Sequence, residues 1–260
     1  MTELRFDPAA EEEELIAYLG DDYDRSRLQR HQAQLEEEAK AIGDEDAFYR
    51  SSRGYLYDLT AFAMSGTKLP YLRLITQHLP SGARLLDYGC GIGADGLILL
   101  EAGYRVEFAD FDNPSAEYLR WRLARRGLDA KVHDIDAGVP GGFDLAYAFD
   151  VIEHLDDPIA FLGEIEARAE RVMVNLLESE PDEPSLHREL PIPLLLERAA
   201  SAPFTLIAYR LFHRRSHLLL YETEADRSRG DQLRARLRSA PARHRAARAA
   251  AALVAKRLSQ

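Results

Sequence analysis

The hydrophobic and polar positions divide the chain into three stretches with different periods. Over roughly residues 1–80 the period is helical. Glu11–Leu19 and Arg25–Ala41 are polar runs with Leu, Ile and Ala at helical spacing, and Ala47–Met64 is denser and aromatic. Pro70–Leu79 closes this stretch ahead of the turn Pro80-Ser81-Gly82. Beyond it, short apolar runs alternate with helical ones. Arg84–Asp87, Arg105–Ala109, Ala130–His133, Leu145–Phe149 and Arg171–Leu177 predict strands. Gly96–Ala102, Ser115–Arg126 and Pro158–Ala169 predict helices between them, the first two stopped by Gly103 and Gly127. A helix from about Pro191 to Ala202 follows, then strands Phe204–Leu211 and His217–Glu222, which face each other across Phe212–Ser216 and should pair antiparallel. The remainder is rich in Arg and Ala and broken by Gly230 and Pro241, with Ala246–Leu258 favouring helix by propensity.

Alternation of this kind means βαβ units and a parallel sheet. The expected fold is therefore α/β: a doubly wound, mostly parallel sheet of seven strands, the last two a terminal antiparallel hairpin. The expected organisation is an N-terminal helical cap over 1–80, the sheet domain over 81–225, and a basic helical tail over 226–260.

Composition narrows this picture. Hydrophobic residues make up 46% and charged residues 30% of the 260, which suits a globular core. No run of about 18 apolar residues stands in the chain, so no membrane helix is expected. The start MTELRFDPAAEEEE lacks the basic and apolar segments of a secretory signal. Cys90 is the single cysteine, which rules out an intrachain disulfide and fits a reducing, cytoplasmic setting. The net charge of −11 argues against a general nucleic-acid binder. The tail differs: from Asp226 to Gln260 ten Arg or Lys stand against two Asp. It is open to nucleic acid, to an acidic partner, to solvent alone, or to the acidic body of its own chain or of a twin in a homodimer.

The most informative segment is Leu85-Leu86-Asp87-Tyr88-Gly89-Cys90-Gly91-Ile92-Gly93, a strand running into a glycine turn that opens a helix. Gly91, Gly93 and Gly96 spell the dinucleotide fingerprint, and Asp110 lies near the distance expected of its ribose acid. That reading makes the chain a nicotinamide-dependent oxidoreductase. Three features oppose it. Asp87, just before the glycines, would face a pyrophosphate unfavourably but suits the ammonium and sulfonium of S-adenosylmethionine. Val106-Glu107-Phe108-Ala109-Asp110 ends a second strand with an acid placed for both ribose hydroxyls. Phe143-Asp144-Leu145-Ala146-Tyr147-Ala148-Phe149-Asp150-Val151-Ile152-Glu153-His154-Leu155 is a distinctive fourth-strand segment.

On these residues the chain, from Leu69 to Glu222, resembles the class I S-adenosylmethionine-dependent methyltransferases, in particular the small-molecule group. The resemblance implies the Rossmann-like methyltransferase fold and S-adenosylmethionine as cofactor. It implies that Asp87, Gly89, Gly91 and Gly93 surround the methionine part and that Asp110 holds the ribose. It further implies that Asp134 accepts from the adenine amino group beside Ile135, and that the Asp150 backbone flanks the sulfur. Cys90, a small filler within the turn, and Phe111, next to Asp110, complete the candidate cofactor residues. The expected reaction is methyl transfer to a small-molecule acceptor through O, N or C. RNA or protein methylation and a non-catalytic cofactor-binding module are the alternatives.

His154 is the candidate catalytic residue, either a general base with near-neutral pKa or a loop-orienting side chain. Asp150, Glu153 and His154 also resemble the start of the metal site of certain metal-assisted O-methyltransferases, which carry Glu at the first position. No metal is assigned on that ground. His187 and His213 sit in connections that could face substrate, and Trp121 reads as packing. Ala47–Met64 carries Phe48, Tyr49, Tyr55, Tyr57 and Phe62 beside Arg50 and Arg53. So many rings dock helices onto a sheet edge or line a lid, with Tyr55 or Tyr57 facing acceptor and Arg50 or Arg53 pairing with an anionic group.

Overall fold

In the computed structural model, residues 3–179, 187–223 and 229–258 are described here, the side chains of 229–239 and 257–258 excepted. Backbone contacts divide the chain into two compact units, Met1–Val139 and Pro140–Gln260.

The first unit begins with six helices: α1 (Pro8–Leu19), α2 (Arg25–Gln29), α3 (His31–Ile42), α4 (Glu45–Ser51), α5 (Tyr55–Ser65) and α6 (Leu69–His78). Two predicted runs are each split. The Arg25–Ala41 run breaks at Arg30, which leaves the helical region at φ −114° and ψ 24°; Leu28 is buried before the break, and His31 after it pairs with Asp58 on α5 at 2.6 Å. The Ala47–Met64 run breaks where Ser52 turns extended at ψ 121°. The Ser52 hydroxyl then accepts from the Tyr55 N–H at 3.0 Å, satisfying a donor at the start of α5. Next come β1 (Arg84–Tyr88), α7 (Ala94–Glu101), β2 (Arg105–Asp110), α8 (Pro114–Arg126) and β3 (Val132–Asp134). Asn113 caps α8 by accepting from Ala116 N–H, and Gly127 ends it in the left-handed region, as the glycine there predicted.

The second unit holds β4 (Leu145–Ala148), a 3-10 turn at Ile152–His154, α9 (Pro158–Glu166), β5 (Arg171–Leu177), α10 (Ile192–Ala200), β6 (Thr205–Phe212), β7 (Ser216–Glu222) and α11 (Arg229–Leu258). The strands form one sheet in the order β3-β2-β1-β4-β5-β7-β6. The β1–β2, β2–β3 and β4–β5 pairs are parallel, and β7 lies antiparallel between β5 and β6. The expected seven strands and terminal hairpin are thus present. Every residue of β4 is buried, as in a parallel strand covered on both faces. The tail departs from its reading in one respect: α11 runs through Gly230 and Pro241 without a break. A proline removes one backbone donor and bends a helix; the alanine-rich segment after it sustains the helix regardless.

An ionic cluster ties the helical region to the sheet of the first unit. Arg122 on α8 is fully buried. It donates to Glu14 at 2.7 Å, to Glu11 at 2.7 and 2.8 Å, and to the Ile92 carbonyl at 2.9 Å. Arg126 adds bonds to Glu14 and Glu101. Burial alone would raise the Glu14 carboxyl, but the two guanidinium groups hold it below the usual carboxylate range.

Candidate active site

In the first unit the glycine turn follows β1 directly. Gly89, Gly91 and Gly93 have φ of 71°, 52° and 70°, a region where a side chain is strained. Gly96 is required for another reason: a Cβ there would lie 2.2 Å from the Phe108 ring and 2.9 Å from Asp87 Oδ2. Its absence lets α7 approach the sheet over Asp87, which is 5% exposed. The turn is tied to the end of β2. Asp110 Oδ2 accepts from the Gly91 N–H at 2.6 Å, and Oδ1 accepts from the Phe111 N–H at 2.8 Å. Burial pushes the Asp110 carboxyl up to about 6 against the lowering effect of these donors. Burial likewise raises the Cys90 thiol well above its ordinary value, which keeps it neutral.

Asp134 stands opposite Asp110 in the β2–β3 register, and the Ile135 N–H donates to the Asp110 carbonyl at 3.0 Å. The neighbouring Asp136 is exposed and turned to Arg50. Arg50 pairs with Asp136 and Asp46, and its guanidinium lies 4.1 Å from the centroid of Phe111. Asn113 donates to the Tyr49 carbonyl at 3.0 Å, and Leu59 lies where a Cβ on Gly91 would meet it at 3.0 Å. Helices α4 and α5 therefore press on the glycine turn and on the loops after β2 and β3. Tyr55 packs on Phe48 and Tyr49, and Arg53 is exposed. Tyr57 is placed differently from its sequence reading. It is 2% exposed, its hydroxyl accepts from the Asp24 N–H and donates to the Asp22 carbonyl, and it belongs to helix packing rather than to an acceptor pocket.

In the second unit Asp150 follows β4 with φ 55°, a left-handed conformation that is uncommon outside glycine and that Asp tolerates better than most residues. Asn175 on β5, fully buried, accepts from the Asp150 N–H at 2.8 Å and donates to its carboxylate at 2.6 Å. His154, in the 3-10 turn, meets His187 edge to face with ring centroids 4.9 Å apart. Glu153 beside it is 1% exposed. His213 is exposed in the β6–β7 turn. Trp121 stacks on Tyr118, in keeping with a packing role.

Sequence reasoning missed Asn175, Asn113 and Arg122. A polar residue inside the apolar run of β5 marks Asn175. No local signal marks Arg122, whose partners lie far away in sequence.

The fold and the glycine turn define the class: a Rossmann-like sheet of the methyltransferase type. The family model described as methyltransferase domain matches residues 63–218, more than half of the chain, and the chain belongs to that family. The ubiquinone biosynthesis O-methyltransferase of Xanthomonas euvesicatoria pv. vesicatoria (strain 85-10) is 29% identical over 105 residues, covering 38% of this chain and 43% of the relative. The chain thus spans under half the length of the curated relatives it matches. A SAM-dependent methyltransferase from Aquifex aeolicus shares the fold at a TM-score of 0.51 and 18% identity, covering 62% of this chain and 93% of that one. The 1,6-didemethyltoxoflavin-N1-methyltransferase of Burkholderia thailandensis, solved with bound 1,6-didemethyltoxoflavin and S-adenosylhomocysteine, shares it at 0.50 and 21%, covering 65% and 86%. Among the described residues no helix is long and apolar enough to cross a membrane.

Proposed function

We propose that the protein transfers a methyl group from S-adenosylmethionine to a small-molecule acceptor. The observation that carries this is the Asp110 carboxylate, half-buried at the end of β2 and bonded to the glycine turn at Gly91. The donor set fits the cofactor: a glycine cradle, an acid before it and an acid across from it. Asp87 would face the methionyl ammonium and sulfonium, with Gly89, Cys90, Gly91 and Gly93 around that part. Asp110 has lone pairs beyond those its backbone donors use and would accept from the ribose hydroxyls. Asp134 and Ile135 would take the adenine, Phe111 would cover the nucleoside, and the Asp150 backbone would flank the sulfur. When bound, S-adenosylmethionine supplies a methyl group on a good leaving group. The chain has to position the acceptor and remove its water and its proton. His154 is the side chain assigned to the acceptor, with His187 beside it.

Residues 1–80 act in this reading as a cap. Leu59 against Gly91 and Arg50 over Phe111 support it. Arg53 and Tyr55 are the cap residues left to meet an acceptor, Arg53 suiting a carboxylate or phosphate. Similarity to a ubiquinone biosynthesis O-methyltransferase and to a 1,6-didemethyltoxoflavin-N1-methyltransferase supports a small-molecule acceptor. A cytoplasmic setting is supported by the lone cysteine, and pairing of the basic tail with the acidic body of a second copy would give a homodimer.

Calorimetry with S-adenosylhomocysteine and NAD tests the cofactor: the first should bind and the second should not. Metabolite extracts incubated with methyl-labelled cofactor should yield a small molecule heavier by the label. Tight NAD binding with no response to S-adenosylhomocysteine would overturn the reading.

A further inference from the structure

We propose that the groove between the end of β6 and the middle of α11 is a binding site for a phosphate monoester with an apolar body. The groove, of about 530 Å³, is lined by Tyr209, Arg210, Leu211, Arg245, Arg248 and Ala249. That volume lies within the range of small-molecule pockets. Arg210, Arg245 and Arg248 are all exposed. Among the described residues Arg245 and Arg248 have no acidic partner, and the Arg210 side chain donates only to the carbonyl of its neighbour Tyr209, at 2.9 Å. The chain has 44 Asp and Glu against 33 Lys and Arg, and elsewhere arginines such as Arg50, Arg126 and Arg198 do find carboxylates. Three guanidinium groups without an acid around one groove repel one another, and a bound anion relieves that repulsion.

The floor beneath these cations is fixed before any ligand arrives. The Tyr209 hydroxyl donates to His217 Nδ1 at 2.9 Å, and His217 Nε2 donates to Glu178 Oε1 at 3.0 Å. Glu178 also accepts from Lys256 of α11 at 3.4 Å, so one chain of bonds joins the strands to the helix. A site on elements already held together loses little freedom on binding. The chemistry of the lining selects the ligand. A planar guanidinium grips two oxygens at once, which phosphate and carboxylate both offer. Three cations favour phosphate, whose monoester carries about 1.5 to 2 negative charges near neutral pH. Leu211, 49% exposed, and Ala249 add an apolar wall that a bare phosphate would leave to water. Strand register gives the place: Tyr209 pairs with Leu219 and Leu219 with Val174, while Leu211 pairs with His217 and His217 with Leu176. The groove is therefore level with residues 174–176, toward the carboxyl edge where α/β sheets bind ligands. None of its lining residues belongs to the cofactor or acceptor set, so the proposal does not rest on methyl transfer.

The test titrates the full chain with naphthyl phosphate under calorimetry, with naphthol for comparison. The expected result is one monoester per chain at about 100 µM or tighter, with naphthol at least about 10-fold weaker. The double variant Arg245→Gln/Arg248→Gln should weaken the monoester by at least about 10-fold, since charge-assisted bonds are lost. Both arginines are exposed, so the variant should fold, and its melting curve checks that. Arg243→Gln, exposed on the same helix but outside the groove, should leave binding unchanged. Excess S-adenosylhomocysteine should not displace the monoester. Absence of binding overturns the proposal, and so does binding that is indifferent to the double variant or displaced by S-adenosylhomocysteine. If phosphatidylglycerol vesicles or a duplex oligonucleotide bind through the same arginines while the monoester does not, the groove serves a polyanionic surface and the proposal fails. A chain that binds the monoester but ignores S-adenosylhomocysteine sinks the methyl-transfer reading and leaves the groove standing.

Discussion

Asp110 Oδ2 and the Gly91 N–H are joined at 2.6 Å, so the acid at the end of β2 and the turn after β1 are one unit. Its carboxyl is pushed up to about 6 by burial, from an unfolded value near 3.9. Between those values the folded chain binds the extra proton, so this residue adds stability below about pH 4 and loses it as pH rises through about 6. Ribose binding needs the opposite state, because the ionised carboxylate is the better acceptor. S-adenosylhomocysteine affinity measured by calorimetry should therefore fall as pH drops through about 6. Asp110→Asn should bind weakly at every pH and be more stable than the parent at pH 8.

Arg122 is the residue whose loss should cost most stability. Its removal leaves buried Glu11 with only the 3.7 Å contact to Arg126 and takes one of its two guanidinium partners from Glu14. Arg122→Ala should lower stability by about 3–5 kcal/mol, as breaking buried pairs does, and denaturant unfolding would measure it. A loss below about 1 kcal/mol would mean that the two carboxylates reach water without it.

Arg50 should behave in the opposite way. Exposed ion pairs and cation–π contacts are each worth about 1 kcal/mol or less, so Arg50→Ala should scarcely change the melting temperature. It should speed S-adenosylhomocysteine release several-fold in stopped flow, because Arg50 braces Phe111 and the loop at Asp136. Asp136→Ala should do the same, and the double variant should add little to either.

Tyr57→Phe should lower stability by about 0.5–1.5 kcal/mol through the lost backbone bonds at Asp22 and Asp24, with KM for the acceptor unchanged. A raised KM with unchanged stability would return Tyr57 to the acceptor site.

Asn175→Ala should remove both bonds to Asp150, cost about 1–3 kcal/mol, and release the left-handed backbone there. Since that backbone is proposed to flank the sulfur, cofactor affinity should fall with it. Thermal melts and calorimetry on the same variant give both readings.

What the sequence by itself determined was whatever is local. Strand and helix periods, the glycines at Gly89, Gly91 and Gly93, and the acids Asp87 and Asp110 are legible because turn geometry and strand ends are written in adjacent residues. So was the antiparallel hairpin, since β6 and β7 are separated by a short connection. Only the tertiary structure decided what depends on distant pairing. Arg122 reads as one more helix cation until α1 brings Glu11 and Glu14 to it. Tyr57 reads as a pocket ring until the residues before α2 take its hydroxyl. His187 has no partner in sequence and acquires His154 because the Arg188 N–H fixes its segment to the carbonyl of Glu153. Local patterns are set by the backbone period, whereas the desolvation that turns a polar side chain into a structural or chemical group exists only once remote segments have packed over it.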